Sequence, residues 1–160
     1  MRSAAIAGLA FAAGVLSAAC AWAGPDDPAD VQQPFETLLA ETHSGIGDRR
    51  REVVHDEAGF MRLWGEVHSG VAPTPAAPAV DFARHMLVVV ASGTRPSGGF
   101  GIKVQAVALL GERLEVAVLE TCPAPGAMVT TELTQPVEVV RVPKLSQPVT
   151  FRETRAASCR

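Results

Sequence analysis

The chain has 160 residues, with 17 acidic and 14 basic side chains and a formal net charge of -3. So mild an acidic excess gives no electrostatic reason to expect nucleic acid as a partner. The length suits one domain, with enough chain to bury a real core.

The N-terminus reads as an export signal. Met1 and Arg2 give a short positive start, and the apolar stretch AAIAGLAFAAGVLSAACAWA leads to Gly24 and an acidic PDDPAD. Ala21-Trp22-Ala23 fits the small-x-small pattern of a signal peptidase site, so residues 1–23 are expected to be removed after Ala23. Loss of Arg2 takes the net charge to about -4. A membrane anchor is the competing reading, and the many alanines and glycines make the run weakly apolar for that role. Lipidation of Cys20 is a further alternative. It calls for a leucine where Ser17 stands, and Leu16 lies one step too early. The expected location is periplasmic or secreted, with no membrane attachment unless Cys20 is lipidated.

Residues 24–33 are polar and carry prolines, which predicts a flexible lead-in to a single domain over 34–160. Residues 34–46, PFETLLAETHSGI, suggest a strand running into a Ser-Gly turn, and RREVV at 50–54 a short second strand. The one helix signal follows near residues 56–68. Asp56 can cap it, and Phe60, Leu63, Trp64 and Val67 recur at i, i+3, i+4 and i+7, a stripe that should pack on a sheet. The proline-alanine stretch SGVAPTPAAPA, 69–79, predicts a mobile loop.

The second half predicts strand after strand. HMLVVVAS, 85–92, is apolar on both faces and should be central. In GIKVQAVAL, 101–109, Ile102, Val104 and Ala106 alternate with Lys103 and Gln105. A tight Gly111-Glu112 connection leads to RLEVAVLE, 113–120, with Leu114, Val116 and Val118 facing inward. PVEVVRV, 136–142, and PVTFRE, 148–153, complete the set, and their bounding prolines sit where a missing backbone donor does least harm. The expected fold is mainly β (α+β), a mostly antiparallel sheet curled into a sandwich or partial barrel, with one packed helix.

Cys122 and Cys159 remain after signal removal, and an even count in an oxidising compartment invites a disulfide. It would close a loop of about 36 residues and contribute roughly 4 kcal/mol in the chain-entropy model. Two free thiols are the alternative.

The residues point away from catalysis, metals and cofactors. His43, His55, His68 and His85 are scattered, with no pair at the i, i+4 spacing of a helical metal site. Ser97 lies in P-S-G-G and not in a nucleophile elbow, and Glu115 and Glu120 read as solvated residues. GTRPSGGF, 93–100, precedes a strand and not a helix, which excludes the dinucleotide fingerprint and the P-loop. It reads as a hairpin loop. Its amides with Arg95 could alternatively form a small anion nest or contact a partner. CPAPGAMVTTELTQP, 122–136, is a second notable connection, with Pro123, Pro125 and Gly126 in a rigid turn. Its Met128, Val129 and Leu133 either pack under the sheet end or offer a contact surface.

These residues resemble the PrcB C-terminal-like domain family. Trp64, Val80-Asp81-Phe82, Gly93, Arg95-Pro96-Ser97-Gly98-Gly99 and Phe100 match its helix tryptophan, V-D-F step and G-x-[RK]-P-[ST]-G-G-aromatic loop. Pro123 to Gly126, Thr134-Gln135-Pro136 and Val139 to Pro143 match its P-x-P-G turn, T-x-P step and V-V-x-[VI]-P strand end. The resemblance covers nearly the whole chain after the signal. Relatives often carry tyrosine where this chain has Phe100. The resemblance implies an exported, non-catalytic domain, because its namesake is an accessory subunit of a surface protease complex, needed for assembly or stability of the catalytic subunit.

The expected function is therefore binding to a protein partner, for which a secreted protease is the candidate. The expected contact residues are Arg95, Pro96, Ser97, Gly98, Gly99 and Phe100 with Pro125 and Gly126. Arg95 would supply charge-assisted hydrogen bonds, the glycines close approach and Phe100 an apolar anchor. A small-molecule or glycan-binding module and a hydrolase built from dispersed residues are the alternatives.

Overall fold

A computed structural model describes residues 31–159. The expected signal peptide, its cleavage after Ala23 and Cys20 lie outside the described residues. Two four-stranded sheets and one helix stack in three layers. The strands are β1 (Val31–Gln32), β2 (Glu36–Glu41), β3 (Arg49–Val54), β4 (His85–Ser92), β5 (Gly101–Leu110), β6 (Arg113–Thr121), β7 (Val137–Pro143) and β8 (Val149–Arg155). The helix α1 spans Glu57–Val67, and a 3-10 turn at Ala157–Cys159 follows β8. One sheet has the order β1-β5-β6-β8 and the other β2-β7-β4-β3. All pairings are antiparallel except β6 with β8. The fold is a β-sandwich with a helix on one outer face.

Strand alternation explains the layering. β4 places Met86, Val88 and Val90 in the core between the sheets, and Leu87, Val89 and Ala91 in the core under α1. Period-two geometry sends neighbours to opposite faces, so a strand buried on both sides must be apolar at every position. β7 divides in the same way, with Val140 and Val142 between the sheets and Val137 and Val139 under the helix. The stripe Phe60, Leu63, Trp64 and Val67 forms the floor of α1, and all four side chains are buried. Asp56 caps the helix by accepting a 2.7 Å hydrogen bond from the Gly59 amide.

Three local expectations are corrected. The lead-in over 24–33 is partly a strand, because Val31 and Gln32 pair with Leu109 and Ala108. The proline-alanine loop is tied down: the Trp64 indole donates a 2.8 Å hydrogen bond to the Pro75 carbonyl, and Ala77, Val80 and Phe82 pack on the helix-side core. The simple alternation of β5 breaks between Val104 and Ala106, where the register with β6 shifts. Ile102 and Val104 face the other sheet, but beyond the bulge Val107 and Leu109 take over from Ala106. The buried Glu138 side chain serves this irregularity, accepting from the Val104 amide at 2.5 Å and from the Thr37 hydroxyl at 2.9 Å.

Candidate functional site

The layer between the sheets changes character along its length. On β6 the inward series Leu114, Val116, Val118 ends in Glu120, which is only 5% exposed. On β8 Val149 and Phe151 belong to the same core, and the next residues of that parity are Glu153 and Arg155. On β3 Val53 packs there, and Arg51 and Arg49 follow at two-residue steps. Arg49 pairs with Ser92 and Glu120 with Arg155, so these charged residues gather at the end where β4 leaves its sheet and β6 finishes.

Glu120 is the hub. Its Oε1 accepts from Arg49 Nε and Nη2 at 3.2 and 3.1 Å and from Arg51 Nη2 at 3.1 Å. Its Oε2 lies 3.6 Å from both Arg95 Nη2 and Arg155 Nε. Glu153 accepts from Arg51 Nε at 2.7 Å and also from Arg49. Burial pushes the Glu153 carboxyl up, but hydrogen bonds and charge from Arg51 and Arg49 outweigh it and hold the group below the ordinary range. Arg51 also donates to the Ala91 carbonyl at 2.8 Å. Four guanidiniums thus meet two carboxylates, and the cluster carries a positive excess.

The two connections singled out in the sequence lie over this cluster and interlock. The 93–100 segment is not a hairpin loop: it carries the chain from β4 in one sheet to β5 in the other. Arg95 and Thr134 form an antiparallel bridge, with Arg95 N donating to Thr134 O at 2.7 Å and Thr134 N to Arg95 O at 3.1 Å. The Thr134 hydroxyl donates to the Ser97 carbonyl at 2.9 Å, and the Gly98 amide to the Thr130 carbonyl at 3.1 Å. Gly99 has φ +81, and a Cβ there would sit 3.0 Å from Pro123, so the position needs glycine on both counts. Pro125 and Gly126, with φ +78 at the glycine, form a turn closed by Ala127 N donating to Ala124 O at 2.9 Å. Cys122 and Cys159 are bonded, which fixes the chain after β8 beside the start of this connection.

Arg95 therefore turns inward. Its guanidinium lies 5.7 Å from the Phe100 ring centroid and reaches toward Glu120. Pro96 and Gly99 are exposed, whereas Ser97, Gly98 and Phe100 are half-buried. The neighbouring connection supplies the outward apolar groups: Met128 is 101% exposed, Leu133 60% and Val129 36%. These three side chains are therefore exposed and do not pack under the sheet end.

Arg49, Arg51, Glu120, Glu153 and Arg155 were not among the expected site residues. Glu120 in particular is buried and not solvated. The signal was parity: Glu120 continues the inward series of β6, and a carboxylate at an inward position requires hydrogen-bond or ion-pair partners nearby.

Residues 86–143 match the family model described as PrcB C-terminal. The matched segment runs from β4 through β7 and contains both interlocked connections, while Trp64 and Val80-Asp81-Phe82 lie outside it. No curated protein and no solved structure matches the chain. Within the matched segment, Arg95 forms a bridge with Thr134, and Gly99 lies close against Pro123. Over residues 86–143, the chain is similar to the PrcB C-terminal family.

Proposed function

We propose that this chain is an exported, non-catalytic protein-binding domain, acting as an accessory or stabilising subunit of a protease complex. The family match supports a role of this kind. The observation that carries the binding surface is the exposure of Met128, Val129 and Leu133 on a connection that is otherwise tightly fixed. Apolar side chains held outward on a rigid support lose little freedom when a partner covers them. Arg95 and Phe100 lie beside this patch, so it joins apolar and cationic groups as interface anchors do. The disulfide fits an oxidising compartment. Glu120 and Glu153 are held in ion pairs by guanidiniums, an arrangement suited to recognition more than to proton transfer.

A photo-cross-linker at position 128, compared with one at Met61, tests this reading in the producing cell. Met61 is also exposed but lies on α1. Adducts with a protease subunit are expected from position 128 and not from 61. Equal yields from both positions, or adducts that lack any protease subunit, would reject it.

A further inference from the structure

A cavity of about 100 Å³ opens beside the interlocked connections, lined by Arg95, Phe100, Glu120, Thr121, Arg155 and the Cys122–Cys159 disulfide. We infer that this cavity receives one carboxylate of the protein partner, held between the guanidiniums of Arg95 and Arg155. The inference rests on reading this end of the sandwich as the docking surface.

Three observations carry it. The first is the charge balance: Arg49, Arg51, Arg95 and Arg155 outnumber Glu120 and Glu153, so the cluster is not neutral by itself. Arg49 and Arg51 make short hydrogen bonds to these carboxylates, whereas Arg95 and Arg155 reach Glu120 only at 3.6 Å. The loosely held pair is the pair that lines the cavity. The second is an unmet donor: among the described residues, Arg95 Nε is buried without a hydrogen-bond partner. A buried cationic donor gains most from an anionic acceptor. The third is the wall chemistry. Phe100 and the disulfide offer an apolar flank for the carbon stem of a glutamate or aspartate, or for a C-terminal residue.

The wall selects a carboxylate over inorganic phosphate: a carboxylate's carbon stem can lie on Phe100 and the disulfide, whereas phosphate has no apolar part to place there. Arg155 is 70% exposed at the side chain and lies on an edge strand, so it can be changed without removing a core group.

The test follows the Arg95 Nε–Hε NMR signal of the disulfide-bonded chain. Titrants are the α-amide of N-acetylglutamate, its neutral glutamine counterpart and inorganic phosphate. A saturable shift is expected with the glutamate compound and none with the glutamine compound, and Arg155→Gln should weaken binding about tenfold. Met61→Ser, on the exposed side of α1, should leave this titration unchanged. No shift, an equal shift with the glutamine compound, or tighter binding of phosphate would overturn the inference. Cross-linking from position 128 that is undiminished by Arg155→Gln would also overturn it while leaving the docking surface standing.

Discussion

The sandwich buries two carboxylates in different ways. Glu138, 3% exposed, lies in the middle of the inter-sheet layer and accepts from an amide and a hydroxyl, both neutral. Glu120, 5% exposed, lies at the end of the same layer and is surrounded by guanidiniums. The first is a closed arrangement that satisfies a β-bulge. The second brings more positive charge than it neutralises, and it does so under the two fixed connections. Equal burial thus hides unequal roles: one group completes the fold, and the other organises a surface.

Perturbing the charged end should have the largest effect. Replacing both Cys122 and Cys159 by serine releases the segment after β8 from that end and should cost about 4 kcal/mol. Urea unfolding of the oxidised wild type against the double variant measures it. Glu120→Ala leaves several guanidiniums without their shared partner and should cost about 3 kcal/mol. Glu138→Ala leaves only the Val104 amide and the Thr37 hydroxyl unpaired, so about 2 kcal/mol is expected. If Glu138→Ala proved as costly as Glu120→Ala, the contrast between the two carboxylates would fail.

Acid should act mainly through the ion pairs. Glu66 is held below its ordinary value of 4.5 by hydrogen bonds from Arg50 at 2.6 and 2.7 Å, which outweigh burial, and Glu153 is also held below 4.5. Groups depressed in the folded state stabilise it fully above the unfolded value, and that contribution fades as pH falls through the folded one. Stability should therefore be level near pH 6 and decline below pH 4.5, by about 1 kcal/mol for these two partly exposed pairs together. Glu153→Gln should flatten part of the decline in a pH series of melting curves. The smallest effect on folding belongs to Met128→Ser with Leu133→Ser, expected to change stability by less than about 0.5 kcal/mol. The same pair should abolish the cross-link partner's binding in a direct titration.

Much of the fold was legible because its signals are local. The α1 stripe, the Asp56 cap and the uniformly apolar β4 each follow from periodicity within a dozen residues. The bulge at Val104–Ala106 was not, since it depends on a carboxylate from β7 far along the chain. The parallel entry of β8 beside β6 was equally invisible to local patterning. Of the site, the R-P-S-G-G and T-x-P residues were found, but their mutual bridge was hidden because it joins Arg95 to Thr134 across sequence. Taking each strand alone made Glu120 look solvated. Extending the inward parity of β6 by one step, and that of β3 back to Arg51 and Arg49, would have exposed the cluster.

The burial of β4 on both faces has a consequence for the chain before it folds. Residues 86–91, MLVVVA, form an uncharged, β-prone hexapeptide of the kind that seeds cross-β stacking when exposed. Arg84 on one side, and the glycine at φ +72 in Gly93 with Arg95 beyond it on the other, bracket the segment as gatekeepers. Shielding of one edge of that hexapeptide waits on β7, made some fifty residues later, so the segment stays open to pairing with other chains until β7 arrives.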